Sequence, residues 1–271
     1  MALERITSAD DPRLAPYRAL PAHDAERRDG LFVAETREVV RQLIRGARFR
    51  LHSVLLTEPA RAALADCLAD LAGVTLYLAP RDVLKAVVGF DFHRGCLALA
   101  ERGPEPSLGE LLARAPRRLV LLEAVSNPDN VGGVLRAAQA LGADAVVLSP
   151  GCCDPLYRKA VRVSGGAALT LPWARAADWP AALGEVRAAG ATVVALAPDG
   201  DTDVAALDGL APGRAALVVG AEGAGLRPAT VAAADLVVRI PIVPGVDSLN
   251  LVTACAVALD RLGGARRVIA P

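Results

Sequence analysis

A chain of 271 residues with 53% apolar side chains has material for one large domain or two ordinary ones, and 30 basic side chains balance 30 acidic ones to a formal charge of zero. No apolar run approaches the roughly 18 to 20 residues of a membrane-crossing helix. Met1–Leu20 carries Glu4, Arg5, Asp10, Asp11 and Arg13 without an apolar stretch, so no secretory leader and no membrane partner are expected, and the location expected is cytoplasmic.

The first signalled element is a helix over Thr36–Arg45, where Val39, Val40, Leu43 and Ile44 recur at helical spacing and Gly46 ends the pattern. β-rich runs follow at Ser53–Leu56, Val74–Leu78 and Gly95–Leu99, with helical stretches at Ala60–Leu71 and Asp82–Val87 between them. This predicts a small alternating α/β unit. Two prolines, a glycine and three charges in Glu101–Ser107 read as a linker, which divides the chain into residues 1–106 and 107–271. Beyond it, strands are predicted at Leu119–Val125, Ala145–Leu148, Ala168–Leu171, Thr192–Leu196, Ala216–Val219 and Leu236–Ile240. Helices are predicted over Val131–Leu141, Pro180–Ala188 and Ser248–Leu262, and Asp199–Asp203 reads as a loop inside the domain. Unbroken apolar strands are those buried on both faces, so a mainly parallel sheet covered by helices is expected. The five cysteines, Cys67, Cys96, Cys152, Cys153 and Cys255, form no CxxC pair and read as buried or loop thiols, and no metal is expected.

Three corners of this second domain combine glycine with polar residues. In Ser126–Arg136, Asn127-Pro-Asp129 makes a turn, Asn130 is a candidate helix cap, and Gly132 and Gly133 permit close approach to the backbone. Capping leaves unexplained why Arg136 interrupts the apolar Val134, Leu135, Ala137, Ala138 face. In Val218–Leu226, the spacing Gly220, Gly223, Gly225 is not GxGxxG, and Glu222 would repel a pyrophosphate. A ligand without phosphates fits better. In Ile240–Asn250, Ser248 or Asp247 is a natural N-cap, and Asn250 is a poor helix former placed in the first turn, with an amide suited to orienting a polar ligand.

Taken in order, these corners resemble the three motifs of the SpoU, or TrmH, branch of the SPOUT RNA methyltransferases, and Cys153–Ala167 is similar to the stretch between the first two. Residues 1–100 are similar, less sharply, to a substrate-binding domain with a fold like ribosomal protein L30e, through Glu35-Thr-Arg-Glu-Val-Val and Gly89–Gly95. Where relatives often have His-Gln-Gly, the chain has His93-Arg94-Gly95, and Ala221 stands where many have Asn.

The resemblance implies an L30e-like α/β domain followed by an α/β catalytic domain with a deep trefoil knot, although knots are nearly absent from proteins at large. It implies S-adenosylmethionine as the methyl donor, held by the backbone of Gly220, Ile240 and Leu249, and methyl transfer to a ribose 2′-hydroxyl of RNA, with rRNA favoured over tRNA. By position, Arg136, Asn130, Glu222, Ser248 and Asn250 match the catalytic set. A homodimer whose active sites are completed at the subunit interface is implied as well. Two other readings compete: a non-catalytic RNA-binding assembly factor of the same fold, and a Rossmann-type oxidoreductase, which wants a glycine spacing that the first corner lacks.

Candidate RNA contacts are Arg37, Arg41 and Arg45, at i, i+4, i+8 on one helix face, and the cluster Arg158, Lys159, Arg162; a solvated face is the commoner meaning of such stripes. The zero net charge hides an asymmetry. Residues 112–175 hold eight basic and four acidic side chains, and residues 176–239 hold four basic and eight acidic. Neutrality therefore argues only against indiscriminate binding to polyanions.

Overall fold

The computed structural model describes residues 2–18, 30–69, 71–89, 95–210 and 213–263, so Phe90–Arg94 of the Gly89–Gly95 stretch lies outside the described residues. The chain forms two units, Met1–Pro104 with Asp154–Thr170, and Glu105–Cys153 with Leu171–Pro271. The break at Pro104 falls inside the stretch read as a linker. Residues 154–170, which lie within 107–271 in the sequence division, pack with the first unit.

In the first unit, strands β1 (Ala2–Arg5), β2 (Leu31–Glu35), β3 (Leu51–Leu56), β4 (Thr75–Leu78) and β5 (Cys96–Glu101) form a sheet in the order β1-β4-β3-β5-β2. β1, β4 and β3 run parallel, and β5 is antiparallel to both its neighbours. β1 carried no sequence signal because it is a charged, mostly exposed edge. The helix Arg37–Gly46 buries Val39, Val40 and Leu43 and is capped by Thr36, whose hydroxyl accepts from the Val39 amide at 3.3 Å. The single helix expected over Ala60–Leu71 is instead two short ones, Glu58–Ala63 and Ala65–Leu68, interrupted at Leu64.

What draws residues 154–170 into this unit is a buried charge. Glu35 is 1% exposed, and its carboxylate accepts from Arg158 Nε at 2.9 Å and Nη2 at 2.7 Å, and from Arg162 Nη1 at 2.7 Å. A buried carboxylate is tolerated when such charge-assisted bonds replace its hydration. Asp154 pairs with Arg102 at 2.8 Å in the same unit.

The second unit is a seven-stranded sheet of β6 (Arg118–Glu123), β7 (Ala145–Leu148), β8 (Trp173–Arg175), β9 (Thr192–Leu196), β10 (Thr202–Asp203), β11 (Ala215–Gly220) and β12 (Leu236–Arg239), in the order β10-β12-β9-β11-β6-β7-β8. Each of its pairings is parallel, as the apolar runs predict. The helices Pro128–Leu141, Trp179–Ala188 and Leu251–Leu262 supply its long cover. One predicted strand is wrong. Ala168–Leu171 does not form a strand; Ala167–Thr170 is a helical turn, nucleated where Ser164 Oγ accepts from the Ala168 amide at 3.2 Å after Gly165 and Gly166, both at positive φ. Three apolar residues and a threonine fit either periodicity, and the local turn decides.

Candidate functional site

In an open parallel sheet, ligands gather at the carboxyl ends of the strands, and the polar corners converge there. β11 ends at Gly220, and the loop that follows doubles back so that Ala221 pairs with Gly225, whose amide donates to the Ala221 carbonyl at 2.9 Å. A Cβ at Gly220 would collide with the Gly225 carbonyl, and Gly225 sits at φ +65°. These glycines therefore close the neck of a tight loop. Glu222 is carried exposed at its tip.

The third corner delivers Asn250, and here the sequence reading is corrected. Neither Ser248 nor Asp247 caps the last helix, and Asn250 lies outside its first turn: Asn250 is the N-cap of Leu251–Leu262, its Oδ1 accepting from the amides of Val252 at 3.0 Å and Thr253 at 3.4 Å. With the oxygen so committed, Nδ2 points outward and donates to Glu222 Oε1 at 2.7 Å. One side chain thus ties the helix end to the glycine loop, and both ends of its amide are assigned by their partners.

In the first corner, Asn127 rather than Asn130 caps the helix, accepting from the Asp129 amide at 2.9 Å. Asn130 is 5% exposed in the first turn. Arg136 does not interrupt the buried face, which includes Val131, Val134, Leu135 and Ala138; it projects from the exposed one. A Cβ at Gly133 would lie 2.6 Å from Val252 Cγ2, so this glycine lets the capped end of the last helix approach the helix of the first corner.

Between the second and third corners lies a cavity of about 600 Å³, at the ends of β9 and β11. Glu222, Ser248, Asn250, Gly220, Ile240 and Leu249 all line it, whereas Asn130 and Arg136 do not. Its walls include Leu196, Val219 and Leu251, and its only charged side chains among the described residues are Glu222 and Asp247. Two carboxylates without a basic partner favour a cationic ligand and disfavour a phosphate.

The residues offered as RNA contacts separate. Arg41 and Arg45 converge on Asp66, at 3.3 and 2.7 Å, and the hydrogen bond from Arg41 holds the Asp66 carboxyl below its ordinary range. Arg158 and Arg162 are committed to Glu35. Arg37 is exposed and makes no ion pair among the described residues, and Lys159 is half-buried on the helix Arg158–Val163.

Residues 117–260 match the model of the SpoU rRNA methylase family. The chain belongs to that family. As a SpoU protein it is similar to an uncharacterised tRNA/rRNA methyltransferase of Mycobacterium tuberculosis, 42% identical over 94% of this chain and 90% of that one. It is also similar to a 23S rRNA (guanosine-2′-O-)-methyltransferase of Ralstonia nicotianae, 34% identical over 74% of this chain and 81% of the relative. Among solved structures, the AdoMet-bound rRNA methyltransferase of Sinorhizobium meliloti superimposes with a TM-score of 0.82 at 25% identity, covering 96% of this chain and 97% of that one. The fold expected of a SpoU methyltransferase, α/β with a parallel sheet, is the fold observed.

Sequence reasoning missed two features of this site. Asp247 lines the cavity, which only its position beside Ser248 signalled. Glu123, buried at the end of β6, lies inside the predicted strand Leu119–Val125, where an acid in an apolar run is itself a signal.

Proposed function

We propose that this SpoU protein transfers a methyl group from S-adenosylmethionine to a ribose 2′-hydroxyl of RNA, with rRNA favoured over tRNA. The observation that carries the reading is the Glu222–Asn250 bridge at a cavity whose lining includes all three proposed donor-holding positions, Gly220, Ile240 and Leu249. The cavity's size lies within the ~300 to 1,000 Å³ typical of cofactor sites. Its apolar walls suit the adenosyl group, and its two acids, Glu222 and Asp247, suit a sulfonium. When bound, S-adenosylmethionine supplies a methyl group on that positively charged sulfur.

The remaining chemistry falls to the chain's own residues. A ribose hydroxyl must lose its proton and face the methyl group in line. A guanidinium has too high a pKa to serve as a base, so Arg136 is assigned to holding the adjacent phosphate, which takes the hydroxyl's proton and relays it to water, and to stabilising the alkoxide that develops. Glu222, Ser248, Asn250 and Asn130 position the pocket loops and the ribose. Because Arg136 is exposed and absent from the cavity lining, the reading includes a homodimer in which a second copy completes the site. Val243 and Val246, 69% and 49% exposed on the third corner, supply apolar surface for such a contact.

Residues 1–106 are assigned to RNA binding as an L30e-like domain and residues 107–271 to catalysis. Arg37 and Lys159 are retained as phosphate contacts, with Arg41 and Arg45 assigned to Asp66 and Arg158 and Arg162 to holding Glu35. A trefoil knot is proposed for the catalytic domain. RNA and methyl donor meet in the cytoplasm, where this activity is placed. Calorimetry with S-adenosylmethionine tests the reading: saturable one-site binding that Gly220→Ala abolishes is expected, and absence of binding by the unchanged chain would refute it.

A further inference from the structure

Glu123 is 1% exposed, and no role in methyl transfer requires a carboxylate there. It ends β6 directly opposite Gly220, the residue at which β11 gives way to the glycine loop. Its side chain reaches the other end of the same loop. One oxygen accepts from the Arg227 amide at 3.1 Å, and the second accepts from Arg227 Nε and from Thr230 Oγ1, the latter at 2.9 Å. Thr230 is fixed in turn by Trp179 Nε1, which donates to its hydroxyl at 3.1 Å. The short helix Pro228–Ala233 has no side-chain cap of its own, so this carboxylate is what anchors its start.

The main chain of Glu123 meanwhile leads into the first corner. Ala124 follows at φ +53°, its amide donating to Ser149 Oγ at 2.8 Å, and Asn127 caps the next helix three residues later. We infer that Glu123 is a positioning residue. It clamps the loop Gly220–Arg227 at both ends, and through that loop it sets Glu222 against Asn250 and shapes one wall of the donor cavity. It touches neither donor nor RNA; it acts by holding the loop that does. The cost of breaking this arrangement falls on Glu123 and Thr230, both buried, since a carboxylate and a hydroxyl parted there find no water to replace each other, whereas Arg227 is exposed. That cost makes the loop conformation single-valued. The inference rests on the donor reading of the cavity.

The test compares Glu123→Gln, which keeps the shape but turns an amide NH2 towards donors, with Thr230→Val, which removes one of the three bonds and leaves the carboxylate. Donor affinity is read by calorimetry with S-adenosylmethionine on folded protein, alongside thermal melts and the kinetics of RNA methylation. Glu123→Gln is expected to weaken donor binding at least tenfold and to lower kcat, with the KM for RNA within twofold of the unchanged chain. Thr230→Val is expected to weaken donor binding about threefold, and Glu123→Asp to recover part of the loss. In combination with Glu222→Gln, the kcat losses are expected to be less than multiplicative, because both changes act through one loop. A Leu183→Ala control, destabilised in the core of the same unit, is expected to keep the donor affinity of the unchanged chain. Unchanged donor affinity in both Glu123→Gln and Thr230→Val, or equal weakening in the Leu183→Ala control, would overturn the clamp. No binding by the unchanged chain would instead overturn the cavity assignment on which it rests.

Discussion

Asn250 performs two tasks with the two ends of one amide, and two substitutions separate them. Its Oδ1 caps the last helix and its Nδ2 donates to Glu222 at 2.7 Å. Asn250→Asp keeps the cap, since Asp and Asn are equivalent there, but it places a second carboxylate oxygen where the amide nitrogen donates. Two unit charges about 3 Å apart repel by on the order of 1 kcal/mol even at the dielectric of water. The attraction lost is a charge-assisted hydrogen bond, so the loop is expected to swing away from the helix end. Asn250→Ala removes both functions and costs the helix about 1 kcal/mol, the usual value of an N-cap, which in a chain of this size lowers Tm by about 2 °C. In differential scanning calorimetry, Asn250→Asp is therefore expected to melt nearer the unchanged chain than Asn250→Ala does. In methylation assays at neutral pH both variants are expected to lose at least tenfold in turnover. Turnover by Asn250→Asp equal to that of the unchanged chain would refute the bridge as a functional element, and identical melting of Asn250→Ala would refute the cap.

Four further outcomes follow from the structure. Arg136→Ala is expected to abolish methyl transfer while donor binding by calorimetry persists, because Arg136 lies outside the cavity. Gly133→Ala sets a methyl group 2.6 Å from Val252 Cγ2 and is expected to destabilise by ~1 to 3 kcal/mol in urea titrations, with Val252→Ala restoring most of the loss. Thr36→Val, which keeps the branched shape and loses the hydroxyl that caps the helix Arg37–Gly46, is expected to lower stability by about 1 kcal/mol in urea titrations. Burial pushes the Cys255 thiol up to about 12, and all five cysteines are buried. Ellman's reagent is expected to find none of them until the chain unfolds. Cys255 stays protonated in the folded state while the unfolded thiol ionises near 9, so its contribution to stability is whole below pH 9 and declines as pH rises towards 12.

Much of this fold can be read in the chain, and the places where reading fails have common causes. Apolar runs such as Ala145–Leu148 and Thr192–Leu196 announce strands because they are buried on both faces, which is also why the sheet is parallel. The four-residue run at Ala168 misleads because it is too short to show a period, and a hydroxyl from Ser164 settles it as a turn. Caps are misassigned by two or three residues, at Asn127 against Asn130 and at Asn250 against Ser248, because each corner offers several capping residues and only packing chooses between them. The attachment of residues 154–170 to the first unit depends on Glu35 meeting Arg158 and Arg162 across more than 120 positions of sequence, and no local pattern carries that pairing. The same holds for Glu123 and Arg227, 104 positions apart. Among the residues that line the cavity, Gly220 is legible because close approach demands glycine and Asn250 because a poor helix former at a helix start needs a reason, whereas Ile240 and Leu249 follow from the family resemblance alone. Residues that hold the cavity in shape are not legible, since a buried acid in a strand becomes informative only once its donors are known.

The most direct test of the account is to incubate the protein with S-adenosylmethionine labelled in its methyl group and, separately, total rRNA and total tRNA, and then to map the modified nucleotide. The account predicts label at a single ribose 2′-oxygen in rRNA, lost with Arg136→Ala. Absence of label from both pools, or label on a base nitrogen or carbon, would contradict it.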